Sequence, residues 1–336
     1  MRSYFLTTAL TLAAFAISAS PSQAEDNAHI PASYMKPDGR VVVVGNDGLE
    51  KVLVGIASIV ERSHPGLHYD FVLKGSSTGL PALAANATLF APLTREARHA
   101  EISGFKQARG YEPVAVQIGY SGWGPRPNGK TPTAVYVSRS NVLASISMDD
   151  LSRVFSSGNS HGDLNLWGQL GEQGEASGRR IHLYGLHDDG SFATALRERL
   201  FDNHPYATRY EPLGSYASVL KAVSTDPYGI AIVGWVKPSD VPREVRLVPI
   251  KNEDGTLKTP ARQTVASGSY PLSSGIYFYI DKAPGKPLDP LVRAWVDAAL
   301  SREGQAVIAA QANTVEGYLP LASEDLSRQQ EALKSF

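Results

Sequence analysis

The chain has 336 residues, of which 43% are hydrophobic and 19% charged, and its formal net charge is −1. This length suits about two domains with real hydrophobic cores, and the nearly neutral charge gives no electrostatic basis for nucleic-acid binding. Cysteine is absent, which excludes disulfides, thiolate metal sites and lipid attachment at a processed cysteine.

The first 24 residues have the organisation of an export signal. Arg2 precedes a mostly apolar stretch from Phe5 to Ile17, and Ser22-Gln23-Ala24 offers a small-residue cleavage site. The alternative is a membrane anchor, but the stretch is shorter than the ~20 residues of a spanning helix. We therefore expect residues 1–24 to be a signal peptide and the mature protein to be periplasmic and not embedded in the membrane.

Two strand–turn–helix units follow in the first part of the mature chain. Arg40 to Gly45 is an apolar strand pattern, and apolar residues then recur at helical spacing from Leu49 to Val60. Tyr69 to Leu73 predicts the next strand, and a helix with Pro81 in its first turn follows. Small residues occupy the turn of both units.

Strands and helices keep alternating through the rest of the chain, which favours an α/β architecture. The predicted strands are Val114 to Tyr120, Thr133 to Val137, Ile181 to Gly185, Gly229 to Val233 and Ile276 to Ile280. The predicted helices are one capped by Ser147 that buries Leu151, Val154 and Phe155, one from Ser191 to Phe201, and one carrying Trp295. Residues 156–179 are rich in Gly and Ser, which predicts a long surface loop, and Asn252 to Gly255 predicts a hairpin turn.

Two lobes are predicted from the two places where the chain is expected to cross from one lobe to the other. Gly122 to Gly129 is rich in breakers and predicts the first crossing, and the return is expected near Ser267 to Leu272. Residues 38–125 and 268–336 would form one lobe, and residues 130–264 the other.

Three turns have the composition of an anion site: Gly45 to Gly48, Gly75 to Gly79, and Asp188 to Ser191. Each follows a strand and opens a helix, whose first N–H groups lack partners and carry partial positive charge. Ordinary helix capping is the alternative interpretation of each turn.

The Gly75-Ser76-Ser77-Thr78-Gly79 turn, the stretch Ala91-Pro92-Leu93-Thr94-Arg95-Glu96 and the C-terminal succession from Ser269 to Leu321 carry a resemblance. Over roughly residues 40 to 321 the chain resembles the phosphate-type solute-binding proteins of bacterial ABC importers. The resemblance implies a type II periplasmic-binding-protein fold: an α/β, two-lobed clamshell of mixed sheets flanked by helices, with two crossover strands and the ligand between the lobes.

The resemblance also implies a set of ligand-binding residues, with Ser76 and Ser77 matching the family's donors. The expected set comprises Asn46, Asp47, Gly75, Ser76, Ser77, Thr78, Gly79, Thr94 and Arg95 in the first lobe, and His187, Gly190 and Ser191 in the second. Neither catalytic residues nor a metal or other cofactor are expected.

The chain departs from the family pattern at three positions. Phe90 stands where an acidic residue is usual, and Leu186 where an Arg is usual. Gly190-Ser191-Phe192 stands where Ser-Gly-Thr is usual, unless a one-residue shift places Ser191 on the Ser of that motif. Arg95 could replace the missing charge, with Arg126 and Arg139 as further candidates.

Asp188 and Asp189, beside this altered motif, leave two interpretations open. They could cap the following helix, where negative charge is favourable. Alternatively, they belong to a cleft tuned to a ligand with amine or hydroxyl groups.

Two functions from different classes are consistent with these patterns. The first is a monomeric receptor that captures phosphate or a related small oxyanion for an ABC permease. The second is an exported ligand-binding, sensor or adhesion module on the same fold. An enzyme has little support, because Gly119-Tyr120-Ser121-Gly122-Trp123 lacks the second Gly of a nucleophile elbow.

Overall fold

The computed structural model describes residues 34–121 and 132–336, with the backbone alone at Ser191. The predicted signal peptide and the predicted first crossing, Gly122 to Gly129, lie outside these residues. The strands are β1 (Arg40–Gly45), β2 (His68–Leu73), β3 (Ala91–Leu93), β4 (Val114–Ser121), β5 (Thr133–Ser138), β6 (Ile146–Ser147), β7 (His182–Leu186), β8 (Tyr210–Leu213), β9 (Gly229–Gly234), β10 (Val245–Val248), β11 (Ile250–Lys251), β12 (Leu257–Lys258), β13 (Ser274–Ile280) and β14 (Leu319–Pro320). The helices are α1 (Glu50–Ser63), α2 (Gly79–Ala84), α3 (His99–Arg109), α4 (Met148–Phe155), α5 (Ser191–Leu200), α6 (Tyr216–Thr225), α7 (Arg262–Ala266), α8 (Pro290–Leu300), α9 (Arg302–Ala309) and α10 (Ser323–Leu333).

The first lobe is built on β1, which pairs with β2 in parallel, and on an antiparallel sheet in the order β14-β4-β13-β3. Backbone hydrogen bonds join the two parts, since the Asn46 amide donates to Pro92 O over 2.9 Å and the Leu89 amide to Val42 O over 3.0 Å. Its core includes Phe90, Phe278 and Trp295, with the ring centroid of Phe90 lying 4.4 Å from that of Phe278.

The second lobe is built on a mixed sheet in the order β10-β5-β9-β7-β8. Two of its interior strands, β5 and β9, are buried on both faces, and their sequences are therefore mostly apolar. Alternate residues of β9 enter different cores: Ile230 and Ile232 face one, and Ala231 and Val233 face the other, which α6 covers. A smaller sheet in the order β12-β11-β6 lies beside it.

The predicted α/β class, with mixed sheets flanked by helices, is confirmed. The prediction of a plain surface loop over residues 156–179 is wrong in one respect. Trp167 within it is only 1% exposed and packs in the second lobe's core, where its indole Nε1 donates to Tyr228 O over 3.1 Å.

The lobe boundaries stay a prediction. Near the expected return of the chain, Val265 packs in the first lobe's core, whereas Tyr270 and Leu272 pack in the second lobe's core.

Candidate functional site

A cavity of about 580 Å³ is lined by the turns after β1, β2 and β3 of the first lobe and by the flank of α5 in the second. Parallel and neighbouring strands bring their following turns to one edge of a sheet, which is where ligands bind in open α/β folds. The predicted site residues that line it are Asn46, Asp47, Gly75, Ser76, Ser77, Thr94 and Arg95.

The turn after β1 places Asn46 at the floor of the cavity, where it is 8% exposed. The preceding residue is Gly45. A larger residue would not fit there, because its Cβ would lie only 2.4 Å from Pro92 O. The Asn46 side chain accepts a hydrogen bond from the Gly48 amide over 2.9 Å and donates through Nδ2 to Ser76 Oγ over 3.0 Å. Its orientation is therefore fixed from both ends.

The turn after β2 places the Ser76 hydroxyl where neighbouring groups engage its acceptor lone pairs. Gly75 has φ of +113°, a conformation that favours glycine, and Ser76 is 8% exposed. Ser76 Oγ accepts from Asn46 Nδ2 and, over 3.3 Å, from the Thr94 amide. A hydroxyl has two acceptor lone pairs and one O–H, so with both lone pairs engaged the O–H remains to be donated to a third group in the cavity.

Thr78 and Gly79 lie outside the cavity lining and shape the turn instead. Thr78 Oγ1 donates to Gly75 O over 2.8 Å. A Cβ on Gly79 would lie 2.9 Å from Ala91 Cβ and from Leu93 Cδ1, so glycine here permits close packing of α2 on β3.

Arg95 lies at the rim of the cavity and is held in one orientation. Its guanidinium donates to both carboxylate oxygens of Glu101, over 2.7 and 2.8 Å, and to Ser77 Oγ over 3.2 Å. Burial raises the pKa of Glu101, but hydrogen bonds from Arg95 and from the Arg98 amide outweigh it, and the pKa lies below its ordinary value. Arg95 is thus a positioned donor whose charge is already compensated by Glu101.

The second lobe contributes a different part of its altered motif than predicted. His187 is exposed, Gly190 donates its amide to His187 O over 3.1 Å, and neither lines the cavity. The backbone of Ser191 begins α5; its side chain lies outside the described part of the chain. The flank of α5 lines the cavity instead, through Phe192 and residues further along the helix.

Two departures from the family pattern, Phe90 and Leu186, have different surroundings, and the further Arg candidates lie elsewhere. Phe90 is fully buried in the first lobe's core. Leu186 is half-buried and its carbonyl accepts from the Tyr210 hydroxyl over 2.5 Å. Arg139 lies away from the cavity and donates to Arg243 O over 2.5 Å, and Arg126 lies outside the described residues.

Sequence reasoning missed two ion pairs between the lobes. Arg98 Nε lies 3.8 Å from Glu198 Oε2, and Arg199 Nε lies 3.8 Å from Glu96 Oε2. All four residues line the cavity. Their signal in the sequence is weak, because charged residues at helix ends most often face solvent.

Among the described residues, the acidic and His side chains form no cluster of three or more that could hold a metal ion. Within the same ranges, every helix is too short or too polar to cross a membrane.

A family model described as a PBP superfamily domain matches residues 20–303 of the chain. The phosphate-binding protein PstS of Pseudomonas aeruginosa strain PAO1 is 29% identical over an alignment of 326 residues that covers 95% of each chain.

Solved structures share the fold. PstS from Borrelia burgdorferi gives a TM-score of 0.58 at 14% identity, covering 84% of this chain and 99% of that one. An ABC-type phosphate transport receptor from Vibrio cholerae gives 0.53 at 14% identity, with the same coverage. A possible phosphate-binding protein from Planctomyces limnophilus gives 0.51 at 17% identity, covering 89% and 98%. The predicted resemblance is confirmed.

Proposed function

Because the chain belongs to the PBP superfamily domain family, we propose that it is a solute-binding receptor that captures phosphate or a related small oxyanion between its two lobes. The Pseudomonas aeruginosa relative, 29% identical over nearly the whole chain, is a phosphate-binding protein. As a receptor, the protein would bind its ligand without chemical change and deliver it to an ABC permease.

The observation that carries this proposal is the hydrogen bonding of Ser76. Its two lone pairs are occupied by Asn46 Nδ2 and the Thr94 amide, so the hydroxyl can enter a ligand contact only as a donor. The unprotonated oxygens of an oxyanion are acceptors, which is the complement of such a group. Ser77 adds a hydroxyl on the same wall of the cavity, where its Oγ accepts from Arg95 and its O–H can be donated.

The helical turn that begins at Ser76 adds to this donor set. The first amides of a helix have no acceptor within it and carry partial positive charge. The Gly79 amide is already satisfied by Ser76 O, and the Thr78 amide by Gly75 O over 3.1 Å. The two residues that precede them, Ser76 and Ser77, line the cavity.

Calorimetric titration with phosphate, sulfate and arsenate at neutral pH tests the proposal. We expect saturable heat and a rise in melting temperature with at least one of the three. A protein that shows neither response to any of them would contradict the oxyanion assignment.

Export and delivery are part of the proposal. We expect the secreted protein to be monomeric and to begin near Glu25, which N-terminal sequencing and light scattering would check. A purified permease should accept the loaded protein in a reconstituted uptake assay.

A second candidate, an exported ligand-binding module without an importer, is favoured by one observation: neither His187, which is exposed, nor Gly190 lines the cavity. Small-angle scattering separates the two candidates, because a transport receptor closes around its ligand and a module that does not close would keep its dimensions.

A further inference from the structure

The wall of the cavity opposite the donors carries an apolar patch beside the charged Glu198 and Arg199. The flank of α5 presents Phe192, Ala195 and Leu196, which are spaced as one face of a helix. Met148 and Leu272 also line the cavity. A ligand held by Ser76 would therefore have hydrocarbon on its far side.

The size of the cavity exceeds the needs of an inorganic anion. Its volume is about 580 Å³, within the ~300–1,000 Å³ of sites that enclose organic molecules. Phosphate has five heavy atoms and would occupy the space of a few water molecules, at roughly 30 Å³ each. The rest of the cavity offers room for a substituent on the anion.

The charges around the cavity also fit an organic anion better than a small dianion. Each of the three Arg side chains of the lining lies within 4 Å of a carboxylate: Arg95 by Glu101, Arg98 by Glu198 and Arg199 by Glu96. Asp47 adds a further exposed negative charge. A ligand that gains from apolar contact depends less on net positive charge in the site.

We propose that the ligand is an organic oxyanion, with an oxyanion head against Ser76, Ser77 and Arg95 and an aryl or alkyl group against Phe192 and Leu196. This inference rests on the proposed function, because it specifies the class of ligand for the same cavity. Burial of a phenyl group removes apolar surface from water and should tighten binding about tenfold to a hundredfold relative to the bare anion.

Competition between phenylphosphonate, methylphosphonate and inorganic phosphate on the full-length mature protein tests the inference. We expect phenylphosphonate to bind at least about tenfold more tightly than phosphate, with methylphosphonate between them. Phosphate binding as tightly as phenylphosphonate, or more tightly, would overturn the inference and leave the proposed function intact. Failure of all three, together with sulfate and arsenate, would remove both.

Two variants locate the preference on α5. Phe192→Ser should lower the ratio of phenylphosphonate to phosphate affinity about tenfold. Ala195→Asn places a polar side chain on the same face of α5 and should also lower this ratio. Leu257→Ser is the matched control, since Leu257 is 53% exposed on the hairpin between β11 and β12 and lies outside the lining. An unchanged ratio in both α5 variants, with each still folded by urea denaturation, would place the apolar group elsewhere and refute the assignment.

Discussion

Ser76→Ala is the most direct test of the oxyanion site. The substitution removes a hydroxyl that is 8% exposed and that accepts from Asn46 Nδ2 over 3.0 Å and from the Thr94 amide over 3.3 Å. In the complex, the variant loses one hydrogen bond to a charged ligand, worth about 1.5–3 kcal/mol. We therefore expect the Kd for the ligand that binds in calorimetry to rise about tenfold to a hundredfold.

The same substitution has a second consequence that can be measured separately. It leaves two donors, the side-chain Nδ2 of Asn46 and the backbone N–H of Thr94, without their acceptor. The free energy of unfolding should fall by about 1–3 kcal/mol, which urea denaturation would report through a lower midpoint.

A matched control separates the loss of a site hydroxyl from the loss of any hydroxyl. Ser58 lies on α1, exposed, and donates to Val54 O over 3.1 Å, so Ser58→Ala should change neither affinity nor stability by more than about 0.5 kcal/mol. A folded Ser76→Ala protein that binds its ligand as the wild type does would refute the reasoning, since the hydroxyl could not then be the donor that the hydrogen bonding implies.

Three further changes test the surroundings of this hydroxyl. Asn46→Asp keeps an equally good cap for the Gly48 amide, but it replaces the donor to Ser76 with an acceptor and adds negative charge. We therefore expect calorimetry to show anion affinity weaker by about tenfold or more. The free energy of unfolding should be nearly unchanged. Gly79→Ala should destabilise the protein by about 1–3 kcal/mol in urea because of overpacking, whereas Gly104→Ala, in open space within α3, should stabilise it by about 0.5–1 kcal/mol. Glu101→Gln should lower the free energy of unfolding by about 1–3 kcal/mol at pH 7, and this difference from wild type should shrink as the pH falls below about 4.

The sign of the last prediction follows from the lowered pKa of Glu101. A carboxyl whose pKa is lower in the folded state stabilises the protein above its unfolded pKa, and that stability is lost as the pH falls through the folded pKa. Melting curves of both proteins from pH 7 to pH 3 would check it. A difference that stayed constant over this range would mean that the ionised carboxylate is not what stabilises the fold.

Features that depend on local chemistry could be predicted from the sequence. Ser147 caps α4 as expected, accepting from the Asp150 amide over 3.0 Å, because a cap involves residues only three apart. The burial of Leu151, Val154 and Phe155 follows from helical spacing. The small-residue turn at Ser76 is visible in the sequence for the same reason, because it spans only a few residues between a strand and a helix.

Features that depend on how distant elements pack could not be predicted in this way. The sequence marks the start of α5 as an anion site, but the position of the helix against the first lobe decides which face lines the cavity, and that face carries Phe192 and Leu196. The pairing of Arg98 with Glu198 joins residues one hundred positions apart. Trp167 likewise reaches Tyr228 across the second lobe, so composition alone could not distinguish its segment from a solvated loop.

The two walls of the cavity would contact different parts of the ligand. On the first lobe, Ser76 is fixed by Asn46 and Thr94, and Arg95 is fixed by Glu101, all within the protein itself. Donors that are already oriented lose little conformational freedom when a ligand binds, so this wall should supply most of the affinity for an oxyanion head. The apolar residues Phe192 and Leu196 of α5 cannot orient a head group by hydrogen bonds, but a ligand that covers them removes apolar surface from water. Changes at Ser76 should therefore weaken inorganic and organic oxyanions by a similar factor, whereas changes at Phe192 should act on the ratio between them.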